Sequence, residues 1–242
     1  MRRKITLTVL FFTLLICSAW AEKIIFSANS MSGKSGDSNT TTKLSGNAYI
    51  KTSSMEISAE EVVLSGEDYR YIKATGKVSG KNTETNMDFT CEELSYDRTT
   101  KVAELKGDVT LNDLDNDVKA QAQIIIYDQN KEVAVLQIKI NLTQEDNICS
   151  GSYAVYYKEN QILELSGNAQ IKQKEDTFRA QHITLDMDTQ DITLGGNVRG
   201  SVKDTGDDKD TETTDESKTQ GESKTPETNA ESKVNEESGL KG

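Results

Sequence analysis

The amino-acid sequence predicts an all-β protein assembled from a repeat of about thirty residues, and three observations lead there. Val, Ile, Leu and Tyr alternate in period two with Lys, Glu, Asp, Gln and Thr, and Gly, Asn and Asp bound the runs, which is the pattern of half-buried strands. Long helical periods are missing, and the single proline, Pro226, lies close to the C-terminus. One short motif also returns in phase. Leu44-Ser45-Gly46-Asn47-Ala48-Tyr49-Ile50 comes back as Leu105-Lys106-Gly107-Asp108-Val109-Thr110-Leu111 and as Leu165-Ser166-Gly167-Asn168-Ala169-Gln170-Ile171.

At the N-terminus, Arg2, Arg3 and Lys4 precede an apolar run from Ile5 to Cys17 that ends in Ala19-Trp20-Ala21, a small-x-small cleavage pattern. A secretory signal peptide over residues 1–21 is expected, with the mature chain beginning at Glu22 and exported. The run of about 16 apolar or near-apolar residues is short of the roughly 20 that span a bilayer, which disfavours a retained anchor. Ile16 stands where acylation of Cys17 would need a small residue.

The body is expected over residues 22–203. Weaker copies of the motif begin at Ile72 and Leu194, with Gly76 and Gly196 in the glycine place, so glycine-to-glycine spacings run 30, 31, 60 and 29. The doubled interval holds a worn copy, Leu136 to Leu142, with Ile138 where the glycine would be. Between copies lies a second block: Phe178-Arg179-Ala180 leading to Ile183-Thr184-Leu185-Asp186 aligns with Phe89-Thr90-Cys91 leading to Leu94-Ser95-Tyr96-Asp97, and Ala120, Ala122, Ile125, Tyr127 and Asp128 keep the register. Each unit therefore reads as a strand, a polar bend, a further strand pair and a tight turn. Alternate positions of the glycine motif share one face, so each unit carries an apolar row that only stacked neighbours bury. The glycine marks a bulge or sharp bend, or else a plain hairpin turn. Cys91 fills the small-residue slot that Ala122 and Ala180 fill elsewhere, whereas Cys149 is out of register with it and should face the other way, which speaks against a disulfide.

From Asp204 to Gly242 the composition turns to Asp, Glu, Ser, Thr, Lys and Gly, and Glu-Ser-Lys recurs at Glu216, Glu222 and Glu231. Residues 204–242 are expected to be a disordered acidic tail, with too little apolar surface to offset its ordering entropy. The chain carries a formal charge of −12, of which the leader accounts for +3 and the tail for −7, leaving −8 on the body. That sign argues against nucleic acid and anionic headgroups as partners; lipid tails remain possible.

Chemistry has little to work with. His182 is the only histidine, which excludes histidine clusters for zinc or for a nucleophile–base pair. Asp113, Asp115 and Asp117 open like a calcium loop, but the sixth position is Val118 and the twelfth Ile124, so a solvated, mobile acidic loop is expected instead. Carboxylate pairs such as Glu60-Glu61 and Glu92-Glu93 fall on outward positions, where they keep a sheet soluble. Neither an active site nor a metal or cofactor is expected; the protein is read as working by binding.

The recurring apolar residue, Gly-Asn/Asp-Ala/Val, alternating strand, and apolar-Asp turn resembles the OstA-type domain of the LptA family of lipopolysaccharide-transport proteins, over about residues 23 to 203. The resemblance implies an open, V-shaped antiparallel β-jellyroll, of β-taco type, in the periplasm. It implies end-to-end association of copies and of inner- and outer-membrane transport components of related fold, and an apolar groove for the acyl chains of lipopolysaccharide or a similar glycolipid. The inward row, Ile50, Leu64, Val78, Leu94, Val109, Leu111, Ile125, Ile140, Phe178, Ile183 and Leu185, becomes the candidate groove lining; the same residues have a plain role as core. The worn copy and the acidic tail depart from the family pattern and leave the ligand open. Neither a membrane-anchored relative nor one followed by an outer-membrane barrel is expected. The competing expectation is a structural β-repeat protein, filled by its own side chains, that binds only proteins.

Overall fold

The computed structural model describes residues 23–34 and 40–203; the expected leader and the acidic tail lie outside the described residues. Alternating apolar positions produce fourteen strands in one antiparallel sheet. Two short strands, β1 (Ile25–Ser27) and β2 (Ser30–Lys34), both pair with β3 (Thr41–Lys51). The chain then meanders through β4 (Met55–Ser65), β5 (Tyr71–Asn82), β6 (Met87–Asp97), β7 (Val102–Asp113), β8 (Val118–Asp128), β9 (Val133–Gln144), β10 (Asn147–Tyr157), β11 (Ile162–Gln173) and β12 (Asp176–Asp186). Two more short strands, β13 (Ile192–Gly195) and β14 (Arg199–Ser201), share the far side of β12. The first and last strands do not pair, so the sheet is open, and the fold is an antiparallel β-jellyroll. Each repeat is two strands of 11 or 12 residues, simpler than the strand, bend and strand pair read from the sequence.

The motif glycines bend the sheet. At Gly46/Asn47, Gly76/Lys77, Gly107/Asp108, Gly167/Asn168 and Gly196/Asn197 two consecutive residues take positive φ, and the worn copy does the same with Ile138 (φ 67°) and Lys139 (φ 54°). Pairing registers shift at these corners: Ser45 faces Glu61 but Ala48 faces Ala59, and Lys106 faces Ile124 but Val109 faces Ala122. Two residues against one is a β-bulge, which bends and twists the strand. The expected bend, and not a hairpin turn, is therefore what the glycine makes. Gly107 shows why the residue is small: a Cβ there would meet Glu92 Cβ at 2.7 Å, on top of a φ of 79°.

With every second strand bent at mid-length, the sheet doubles over into two wings that share one core. Polar turns follow along two rims. The first rim carries the turns at 51–55, 82–87, 113–118, 144–147 and 173–176; the second carries those at 65–71, 97–102, 128–133, 157–162 and 186–192. Strand-end side chains shape these turns, as where Asp97 Oδ1 accepts from the N–H groups of Thr99 (2.9 Å) and Thr100 (3.3 Å). Turns also stack on turns: Arg98 N–H donates to Arg70 O at 2.9 Å, Gln129 N–H to Lys101 O at 3.0 Å, Lys158 N–H to Glu132 O at 2.9 Å and Met187 N–H to Gln161 O at 2.8 Å.

Two expectations need correction. Cys149 faces inward and is buried, in the row of Phe89 and not on the outer face: it lies across from Leu142 and Ile171, and the small-residue slot of this unit falls two residues on, at Gly151, which puts both on one side of the strand. Asp113 is no solvated loop residue: it is 2% exposed and held by partners from the opposite rim. Cys91 and Cys149 are both free thiols, and burial pushes each up to about 12, so neither is a reactive nucleophile.

Candidate functional site

The apolar row expected from the sequence becomes the shared interior. Leu64, Leu94, Ile125, Ile183 and Leu185 come from the second-rim wing, and Ile50, Val78, Val109, Leu111, Ile140 and Phe178 from the first-rim wing. Cross-strand pairing joins them to apolar neighbours: Ile50 faces Ile57, Leu64 faces Ile72, Leu111 faces Phe89 and Ala120, Ile125 faces Leu105 and Leu136, and Ile183 faces Leu165 and Leu194. All but Phe178 are buried; Phe178, near the C-terminal end, is partly buried against the same core. The row is thus one continuous interior running from β3 to β12, filled by the chain's own side chains.

Sequence reasoning missed what closes that interior. The end of β7 and the residue after β10 lie at opposite ends of strands that would span about 35 Å if flat. They nonetheless meet: Lys158 Nζ donates to Asp113 Oδ1 at 2.7 Å and to Asp115 Oδ2 at 3.1 Å, Tyr156 O–H donates to Asp113 Oδ2 at 2.8 Å, and Asn116 Nδ2 donates to the same oxygen at 2.7 Å. Burial alone would lower the Lys158 pKa, but its bonds to Asp113 and Asp115 outweigh that and hold it above the usual lysine value, so the ammonium stays charged. Burial, and then the Asp113 charge, push the Tyr156 phenol upward.

The same joint is made elsewhere with other residues. Glu84 on the first rim accepts from Lys101 Nζ at 3.0 Å and from the Gln129 amide, both on the second rim. Gln144 Nε2 donates to Met187 O at 3.2 Å, and the Asn147 amide bonds Gln190. The positions recur at about the repeat period, Asp113 and Gln144 on one rim and Gln129 and Lys158 on the other, and that spacing was the available signal.

The interior reaches solvent at its ends. Beside β1 a cavity of about 560 Å³ is lined by Ile24, Phe26, Thr40, Leu64, Asp68, Tyr69 and Arg98. At the other end Ile192 and Leu194 are only partly buried and Val198 is exposed. Among the described residues, no group of three or more His, Cys, Asp or Glu could hold a metal, and no helix is long and apolar enough to cross a membrane.

A single folded sheet around a continuous apolar row, closed along its mouth by side-chain hydrogen bonds and reaching solvent at both ends, defines a β-jellyroll. The family described as LptA/(LptD N-terminal domain) LPS transport protein matches residues 27–157 and 134–191. The chain belongs to this family. No curated protein matches it significantly. Among solved structures it is similar to LptH from Pseudomonas aeruginosa, described as the LptA-homologous periplasmic component of the conserved lipopolysaccharide transport device. That likeness has 17% identity and a TM-score of 0.46, covering 50% of this chain and 96% of LptH.

Proposed function

We propose that this protein is a periplasmic carrier in lipopolysaccharide transport, taking the acyl chains of lipopolysaccharide or a related glycolipid into the interior between its two wings. Family membership supports the transport role, and the continuous apolar row supports the cargo. Burying a methylene contributes about 0.8 kcal/mol, so one acyl chain of about a dozen carbons offers on the order of 10 kcal/mol before ordering costs. The row is occupied by protein atoms, so a chain must part the rims or enter from an end. Hydrogen bonds and one buried ion pair, not backbone ladders, hold the mouth, and side-chain bonds of that kind exchange for ligand contacts more readily than a strand pair. Copies and membrane-bound partners of the same fold associate end to end through the outer edges of the short terminal strands, β1 and β2 at one end and β13 and β14 at the other, which among the described residues pair on one side only.

The filled interior favours a second reading, a structural repeat that binds only proteins. Photo-crosslinkers in cells separate the two. Positions Leu111 and Ile183 are expected to capture lipopolysaccharide or a related glycolipid while outward Lys172 does not. Equal labelling at inward and outward positions in folded protein would leave only the structural reading.

A further inference from the structure

The outer face of the sheet is not uniform. On β3 to β6 it carries charged ladders, with Lys43 on Glu61 at 2.7 Å and Lys73 on Glu93 at 3.1 Å. On β8 to β10, over the second-rim wing, the outward positions are instead Ile124, Ile126, Val133, Val135, Val155 and Tyr157, each partly exposed. They form one lattice: Ile126 faces Val135, Val135 faces Val155, and Val133 faces Tyr157. Tyr153 (44% exposed) extends it toward the corner, where Ile138 (50% exposed) takes the place that glycine fills in the other repeats. A β-branched residue at φ 67° is strained, and here the strain displays an apolar side chain beside the apolar face.

The border is acidic. Glu104 faces Ile126, Glu164 faces Val155, Asp128 faces Val133, and Glu132 lies in the adjoining turn. Lys106 and Lys131 neutralise Glu104 and Asp128, whereas Glu132 and Glu164 form no salt bridge among the described residues.

We propose that the outward face of β8 to β10 is a docking site for the apolar stripe of a basic amphipathic helix on a partner protein. Charge complementarity selects that occupant. A second copy, the acidic segment from Asp204 or an anionic lipid surface would each bring negative charge to Glu132 and Glu164. Width agrees: three adjacent strands at about 4.8 Å spacing span about 10 Å, one helix diameter. Strand addition is excluded because β9 is paired on both sides. A helix laid on this face completes a second layer that the sheet lacks there.

The test titrates the full chain into a fluorescent leucine–lysine amphipathic peptide of about five helical turns, followed by anisotropy at about 0.15 M salt. The triple variant Ile126→Thr, Val135→Thr, Val155→Thr keeps β-branched side chains, and its fold is checked by circular dichroism and melting. It is expected to bind at least about tenfold more weakly, as is a peptide of equal charge with scrambled amphipathicity against the unaltered protein. Gln121→Ser with Asn141→Ser on the other wing should leave affinity unchanged. Should the triple variant not fold, Glu132→Gln with Glu164→Gln serves instead, with weaker binding and a shallower salt dependence expected. Equal affinity for variant and parent, or for scrambled and amphipathic peptide, overturns the proposal. So does a dimer in sedimentation that the triple variant abolishes, or peptide binding that appears only when residues 204–242 are removed. None of these outcomes depends on lipid in the interior.

Discussion

Asp113 and Lys158 are the two charged side chains that the fold buries among the described residues, and they join opposite rims. Removing one partner strands the other charge away from water, so Lys158→Met is expected to cost about 3–5 kcal/mol in urea unfolding. Adding Asp113→Asn should recover most of that loss, because a matched neutral pair has no stranded charge; a double variant as unstable as Lys158→Met alone would show that the pair is not what couples the rims. Ile138 predicts the opposite sign. A left-handed conformation costs a side chain with a Cβ roughly 1–2 kcal/mol, so Ile138→Gly should raise stability by about 1 kcal/mol after the entropy of the new glycine. A lower melting temperature for that variant would mean that the Ile138 side chain contributes more by packing than its backbone costs. Cys149 shows the limit of counting along a sequence. The alternation that placed Ile50 and Leu64 correctly misplaced this residue, because the small-residue slot that Cys91, Ala122 and Ala180 fill falls here at Gly151, and a glycine gives that slot no side chain by which to recognise it.

At the scale of elements, strands and corners were legible because each copy must satisfy the same two demands, alternation for a half-buried face and a residue tolerant of positive φ at the bend. The folding together of the wings was not. Alternation says which side chains share a face and is silent about whether that face closes on itself, so the rim contacts needed coordinates, although their thirty-residue spacing was present in the chain. The turns that build the rims also titrate. The Arg70 guanidinium, donating to Asp97 at 2.6 Å, together with the turn N–H groups of Thr99 and Thr100, overcomes partial burial and holds the Asp97 carboxyl at about 2. A carboxyl lowered on folding stabilises the native state above its unfolded value of 3.8, and that contribution disappears as pH falls from there through about 2. Urea midpoints measured across this window should fall more steeply for the parent than for Asp97→Asn. Lys158 has the reverse sign: raised above 10.5, it stabilises fully below that value and ceases to do so only at more alkaline pH.

For the molecule as a whole, the proposed carriage of a lipid in the interior requires the closed mouth to open or be bypassed. A bifunctional thiol crosslinker between cysteines placed at Gln144 and Met187, in a background with Cys91→Ala and Cys149→Ala, would tie the rims where they already bond. Loss of lipid capture on crosslinking is expected if the wings must part, whereas undiminished capture would show threading from the ends. The orientation of the strands has a mechanical consequence for a chain held at both ends. Tension along the succession of strands pulls the ladder hydrogen bonds in line, one pair at a time, and does not shear a whole strand against its neighbour. The three- to five-residue segments at either end hold fewest bonds and release first. Under load, the molecule should lengthen in a series of small, low-force steps of one strand each, beginning at its termini and leaving the interior repeats folded until last.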